Sequence, residues 1–153
     1  MALEIERKFL VDTSRWKPVD QGKKLIQAYL SKEPNPTVRV RIAGEQAFMT
    51  IKGRTESITR AEFEYEIPVD EAQELLKMAI TNPVEKIRYE VMHEGFCWEV
   101  DVFSGKNSGL VMAEIELDSE DQEFSKPDWI LSEVSSDRRY YNSQLSEQPF
   151  SEW

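Results

Sequence analysis

Charged and apolar side chains alternate along much of this chain, and the alternation restricts the folds that it can adopt. Near the N-terminus, Glu4, Glu6 and Lys8 are separated by Ile5 and Arg7. Side chains of a β-strand point alternately to opposite faces, so residues two apart share a face and lie about 7 Å apart. The segment therefore predicts a strand with two acids and a base in one line.

The same alternation predicts eight strands, mostly in hairpin order, over residues 4–11, 24–31, 37–42, 46–52, 60–67, 84–93, 96–103 and 110–117. Pro68-Val69-Asp70 predicts the start of a helix with Asp70 as its N-cap, and Asn82-Pro83 predicts its end. A second helix is predicted near the C-terminus, after residues 135–137 and through 138–141. Together these elements predict an α+β protein dominated by β-structure.

Composition narrows the functional classes. The 153 residues fit one domain with a sizeable core. A net charge of −10 disfavours binding to nucleic acid or to an anionic membrane. We expect no membrane span and no signal peptide, because charges interrupt every long apolar run. The single cysteine, Cys97, argues against an intramolecular disulfide and favours the cytoplasm. With only one histidine, His93, beside it, a Cys/His zinc site is also disfavoured. Any metal would therefore be a hard cation held by carboxylates.

The charged faces have two interpretations. For any single strand, alternation is typical of an antiparallel sheet with one face in water. For the whole set, each face carries mainly one sign: the 62/64/66, 99/101 and 114/116 groups are acidic, whereas the 39/41 and 86/88 groups are basic. Like charges two apart repel each other, so stabilisation of a wet surface would not select this pattern. The opposite faces carry large apolar groups that need packing partners.

Closing the eight strands predicts an antiparallel β-barrel, a tunnel with a charged interior and a few flanking helices. Buried charges are costly unless they pair or bind ions. A polyphosphate with divalent metals carries both signs, so bases would hold phosphate oxygens and acids would hold the metal.

The order of these motifs resembles the CYTH superfamily, the triphosphate tunnel metalloenzymes. The resemblance begins with Glu4-x-Glu6-x-Lys8 and covers nearly the whole chain, as a single tunnel domain of residues 1–153. It continues, in the family's order, with Arg39-x-Arg41, Lys52, Glu62-x-Glu64, Lys86-x-Arg88, Glu99-x-Asp101, Glu114-x-Glu116 and Asp137-Arg138-Arg139-Tyr140-Tyr141-Asn142.

The resemblance implies roles for these residues. The basic side chains are expected to bind the phosphates of the substrate: Lys8, Arg39, Arg41, Lys52, Lys86, Arg88 and Arg139, with Arg138 as the alternative to Arg139. The acidic side chains are expected to bind Mg²⁺ or Mn²⁺: Glu4, Glu6, Glu62, Glu64, Asp101, Glu114 and Glu116. Catalysis is expected from Glu4, Glu6, Lys8 and Lys86. Tyr29 is interpreted equally well as a tunnel tyrosine or as a packed aromatic residue.

The family implies several reactions on a small-molecule triphosphate. The first hypothesis is metal-dependent hydrolysis of inorganic triphosphate to pyrophosphate and phosphate. The alternatives are a class IV adenylate cyclase, a nucleotide or thiamine triphosphatase, and a non-catalytic module that binds polyphosphate or nucleotide. Monomer and homodimer both stay open.

Overall fold

The computed structural model describes residues 2–153 as a β-barrel with short helical segments around it. The strands are β1 (Leu3–Val11), β2 (Lys23–Ser31), β3 (Thr37–Ala43), β4 (Gln46–Lys52), β5 (Thr59–Ile67), β6 (Val84–His93), β7 (Phe96–Phe103), β8 (Val111–Glu116) and β9 (Ile130–Glu133). The α-helices are α1 (Val69–Lys77) and α2 (Asn142–Leu145), and 3₁₀ turns cover Gly105–Asn107, Arg138–Tyr140 and Phe150–Glu152.

Antiparallel pairing runs in the order β5-β4-β3-β2-β6-β7-β8-β1, and β1 also pairs with β5. The final pairing joins Leu3 to Ala61 and Ile5 to Thr59, and it closes the sheet. The predicted eight-stranded closed barrel is therefore confirmed. The predicted hairpin turn between β3 and β4 is also present, with Gly44 at a φ of +62° that favours glycine.

The ninth strand was not predicted. Because β5 pairs only with the first residues of β1, the second half of β1 would present an unpaired edge on that side. β9 covers this edge, pairing Phe9 with Glu133 and Val11 with Ile130. Unpaired strand edges favour association with other chains, so this short strand has a protective effect.

Apolar residues on the outer face of the barrel form two cores. Phe9, Trp98 and Trp129 belong to the larger one, which covers β1, β7 and β8. The other lies under α1, where the fully buried Ala72 packs with Val40 and Ala47 of the sheet. Burial of each large side chain contributes about 1.5–3 kcal/mol. The outer face thus contains the packing that the alternation predicted.

The bounds of α1 differ from the prediction. Pro68 is the N-cap, its carbonyl accepts from the backbone N–H of Ala72, and Asp70 lies in the first turn instead. Proline fixes its own φ near the value that the helix start requires and needs no donor there. The helix ends at Lys77, several residues before Asn82-Pro83.

A third apolar core closes one end of the barrel. Leu10, Phe103 and Met112 each lie on the same strand face as a charged residue two positions away. These charged residues are Lys8, Asp101 and Glu114 respectively. Leu145 of α2 packs against this apolar end of the interior. The C-terminal segment therefore covers an opening of the barrel. No helix within residues 2–153 combines the length and apolar character needed to cross a membrane.

Candidate active site

A cavity of about 320 Å³ lies inside the barrel. Residues predicted from the sequence line it on all sides: Glu4, Glu6, Lys8, Arg39, Arg41, Lys52, Glu62, Glu64, Lys86, Arg88, Glu114 and Glu116. Tyr29 lines it too, in agreement with the interpretation as a tunnel tyrosine.

Strand register brings the first motif and the last one together. Glu6 lies opposite Glu116, and Lys8 lies opposite Glu114. Lys8 Nζ is 3.8 Å from Glu114 Oε1. Although burial alone would lower the pKa of Lys8, the carboxylates of Glu114 and Glu6 raise it, so Lys8 is a firmly charged ammonium.

The acids of β1, β5 and β8 form one crowded group. Burial raises the pKa of Glu6 well above its usual value, and the negative charges of Glu114 and Glu4 add to this effect. Burial also raises the pKa of Glu4, and the neighbouring carboxyl of Glu62 adds to this effect. Lys52 Nζ lies between them, 3.2 Å from an oxygen of Glu4 and 3.2 Å from one of Glu62. The group therefore holds more negative charge than its neighbouring cations compensate.

This donor set fits a hard divalent cation. Carboxylate oxygens are the protein ligands that Mg²⁺ and Mn²⁺ prefer, and a cation would relieve the repulsion among Glu4, Glu6 and Glu114. Within residues 2–153, however, no three acidic side chains already have the arrangement of a metal site. Lys52 holds Glu4 and Glu62 instead, so binding of a cation requires these side chains to move.

The bases of β3 are held mainly by neutral groups. Arg39 donates to the hydroxyl of Thr50 at 3.2 Å and lies 3.5 Å from the half-exposed Glu64. Arg41 Nε donates to Gln27 Oε1 at 2.7 Å. Burial, with the positive charges of Arg39 and Arg88, lowers the pKa of Arg41 to about 9, so it stays a cation at neutral pH.

The bases of β6 are held by carboxylates. Lys86 Nζ is 2.7 Å from Asp101 Oδ2, and both side chains are 1% exposed. Arg88 donates to both oxygens of Asp101, at 2.8 and 2.9 Å, and to Glu99 at 3.2 Å. Burial, with the nearby Arg88 and Arg41, lowers the pKa of Lys86 to about 7 despite Asp101.

The predicted metal role of Asp101 does not fit this geometry. Asp101 lies behind the cavity lining, and Lys86 and Arg88 occupy both of its oxygens. Burial alone would raise its pKa, but the two cations lower it. Its position indicates that it orients two bases. The strand pattern could not distinguish these roles, because Asp101 shares its face with Glu99, which does line the cavity.

The predicted phosphate role of Arg139 does not fit either. Its guanidinium bonds to Asp137 at 2.7 Å, stacks on Trp153 and is largely exposed outside the cavity. Arg138, the alternative, contacts Glu33 at the surface. The predicted C-terminal helix is in fact a 3₁₀ turn followed by the four residues of α2, and this break turns both arginines outward.

The residues that reach the cavity from the C-terminal segment were missed. They are Ser135, Tyr141, Asn142 and Ser143. Lys8 Nζ lies 5.3 Å from the centre of the Tyr141 ring. Asn142 Oδ1 accepts from Lys86 Nζ at 2.9 Å. No periodicity marks such residues, because they come from a turn that docks across the barrel.

A second cavity of about 560 Å³ adjoins the first. Both are lined by Arg41, Glu64, Arg88 and Glu99, so this group forms the boundary between them. Glu90 also lines the second cavity.

Comparison with known proteins identifies the fold and the family. The CYTH domain profile matches residues 2–147. An inorganic triphosphatase of Acetivibrio thermocellus is 47% identical over 151 residues, which is 98% of this chain and 97% of that protein. An inorganic triphosphatase of Nitrosomonas europaea is 37% identical, covering 94% and 96% of the two chains. The crystal structure of the inorganic triphosphatase NE1496 superimposes with a TM-score of 0.67 at 36% identity, over 95% of each chain. The chain therefore belongs to the CYTH domain family.

Proposed function

We propose that this protein hydrolyses inorganic triphosphate to pyrophosphate and phosphate with the help of a divalent metal. One observation carries the proposal: the cavity inside the barrel brings a crowded group of carboxylates together with a set of bases. A triphosphate bound to a divalent cation complements both sides. The small-molecule substrate agrees with the names of the similar proteins, which are inorganic triphosphatases.

The bases divide the work of substrate binding. Arg41 keeps its charge available, because it is held by the neutral amide of Gln27, whereas Arg39 shares its charge with the half-exposed Glu64. A guanidinium can bind two phosphate oxygens at once. Lys8, which contacts Glu114 and Tyr141, is a charged ammonium at the boundary between acids and bases. It can stabilise charge that develops on a reacting phosphoryl group.

Glu4, Glu6, Glu114 and Glu116 would hold Mg²⁺ or Mn²⁺, with Glu62 and Glu64 as further candidates. The bound cation would neutralise phosphate charge and lower the pKa of a water nucleophile. Binding of the cation at Glu4 would require Lys52 to release that carboxylate, and because the pKa of Glu6 is raised, the cation would compete with a proton there. Lys52 would then be free to bind a phosphate oxygen of the substrate.

The lining of the first cavity, inside the barrel, favours an inorganic substrate. Apart from Tyr29, Tyr141 and Ile58, the lining residues are all charged, hydroxyl-bearing or amide side chains. A nucleotide base would need apolar or aromatic contacts on its faces. We therefore infer that the cavity selects the triphosphate chain itself.

A phosphate-release assay tests the proposal. The purified protein is incubated with triphosphate, pyrophosphate or ATP, each with Mg²⁺ or Mn²⁺ and without metal. We expect metal-dependent phosphate release from triphosphate, with pyrophosphate accumulating. Cyclic AMP and pyrophosphate formed from ATP would favour the cyclase, and stabilisation by triphosphate without turnover would favour a binding module. No release above the blank with either metal contradicts the proposal.

A further inference from the structure

Gln27 is fully buried in β2, does not line the main cavity, and makes three polar contacts. Its Oε1 accepts from Arg41 Nε at 2.7 Å. Its Nε2 donates to Asn142 Oδ1 at 3.1 Å and approaches the Tyr29 hydroxyl at 3.3 Å. A buried amide with this many partners is held in one orientation.

The chemistry of the neighbours determines which way both amides point. The Arg41 guanidinium can only donate, so Gln27 must present its oxygen to it. The NH₂ group of Gln27 then faces Asn142, so Asn142 must present its oxygen there. The same oxygen accepts from Lys86. The orientations of the Gln27 and Asn142 amides are thus consistent with all of these hydrogen bonds.

We propose that Gln27 is a positioning residue for substrate binding: held by Asn142 of the C-terminal segment, its amide fixes the Arg41 guanidinium toward the phosphate site. The inference rests on the proposed function, since it concerns the same cavity.

A neutral acceptor suits this task better than a carboxylate would. Within residues 2–153 Arg41 forms no ion pair, so Gln27 fixes Nε without neutralising the charge. The two terminal nitrogens of the guanidinium then remain for the phosphate oxygens. Without Gln27, the guanidinium would lose its fixed direction, and the orientation would have to be restored at the expense of substrate affinity.

The test is a double-mutant cycle. Gln27→Met keeps the length of the side chain and removes both polar groups. It is expected to raise KM for triphosphate about tenfold, the factor for a lost hydrogen bond to a charged group, with little change in kcat. In the Arg41→Ala background, the same substitution is expected to change KM by less than about twofold, because the group that it orients is gone.

Asn107→Met is the matched control. Asn107 is also a buried amide that holds the C-terminal segment, through Phe150 N at 2.9 Å, but it contacts none of the bases of the cavity. It is expected to lower Tm and to leave KM unchanged. The inference is overturned if Gln27→Met leaves KM unchanged, if it raises KM equally with and without Arg41, or if Asn107→Met raises KM as much.

Two further measurements test the role of Gln27 independently of catalytic turnover and of whether the variants fold. The Kd for triphosphate, measured by calorimetry on the same proteins, replaces KM if the wild-type protein shows no turnover. In the wild-type protein, the ¹H–¹⁵N signal of Arg41 Nε is expected to exchange slowly with water. Exchange as fast as that of the exposed Arg54 would overturn the inference without any variant at Gln27.

Discussion

Two neighbouring walls of the cavity, one formed by β6 and β7 and the other by β2 and β3, carry arginines with different surroundings. On the β6–β7 wall, Arg88 meets Asp101, Glu99 and, at 3.8 Å, Glu114. Burial alone would lower its pKa, but Asp101 and Glu114 raise it well above the usual value. On the β2–β3 wall, the one polar contact of Arg41 within residues 2–153 is with the neutral amide of Gln27.

The difference shows that a base in a cavity is not by itself a ligand for an anion. A guanidinium whose hydrogen-bonding groups face carboxylates is largely neutralised, whereas one held by an amide keeps its charge. We therefore expect the β2–β3 wall to bind substrate and the β6–β7 wall to support the shape and charge balance of the cavity.

The largest expected effect on turnover concerns the two acids of β8, Glu114 and Glu116. Glu116→Ala is expected to reduce kcat by about 10³-fold, because a metal contributes several kcal/mol of transition-state stabilisation. Glu114→Ala should have a similar effect on kcat and should also lower Tm, because Lys8 and Arg88 lose a partner. The measurements are phosphate release against metal concentration, and Tm. Near-normal turnover in both variants would contradict the predicted metal site.

The second prediction concerns a substitution that breaks ion pairs of the β6–β7 wall. Asp101→Asn leaves Lys86 buried without its counter-charge, removes one of the carboxylates that Arg88 contacts, and should lower the free energy of unfolding by about 3–5 kcal/mol. Glu64→Gln, the matched change beside the β2–β3 wall, should cost less than about 1 kcal/mol because Glu64 is 41% exposed. Urea titrations measure both. Equal losses in the two variants would remove the difference between the walls.

The third prediction concerns Arg41, which is held by the neutral amide of Gln27. Arg41→Ala should raise KM by about 10²-fold, as expected for the loss of two charge-assisted hydrogen bonds to phosphate. Its effect on Tm should be small, since removal of a buried, unpaired charge relieves a desolvation penalty. Steady-state kinetics and thermal melts test this pair of outcomes. An unchanged KM would show that Arg41 does not bind the substrate.

The fourth prediction uses pH. Because the pKa values of Glu6, Glu4 and Glu116 are raised, these three carboxyls hold more protons in the folded protein than in the unfolded chain between pH 4.5 and their raised pKa values. The metal-free protein should thus lose stability as pH rises through this window. Mg²⁺ must displace these protons, so it should raise Tm more at pH 8 than at pH 5.5. Glu6→Gln should reduce this dependence, and an equal shift at both pH values would contradict the prediction.

The smallest effect is expected at the surface. Arg139→Ala should leave Tm nearly unchanged, because its pair with Asp137 is exposed to solvent. KM and kcat should stay unchanged, since Arg139 does not reach the cavity. A rise in KM like that of Arg41→Ala would restore the role first predicted for Arg139.

Much of the site could be predicted because a strand has a period of two. Once Glu4, Glu6 and Lys8 share a face, the closed barrel can place them only inside or outside, and the apolar residues on the other face decide between these positions. The same reasoning places Arg39 and Arg41. No long-range information was needed to identify these residues as lining a cavity.

The sequence by itself therefore determined the barrel, its charged interior and most of the cavity lining. Only the tertiary structure decided that Asp101 neutralises Lys86 and Arg88, that Gln27 leaves Arg41 charged, and that β9 and α2 cover an edge and an end of the barrel. The physical reason is that periodicity reports the face on which a residue lies. The partner that it meets there depends on strand register and on the docking of segments that are distant in sequence.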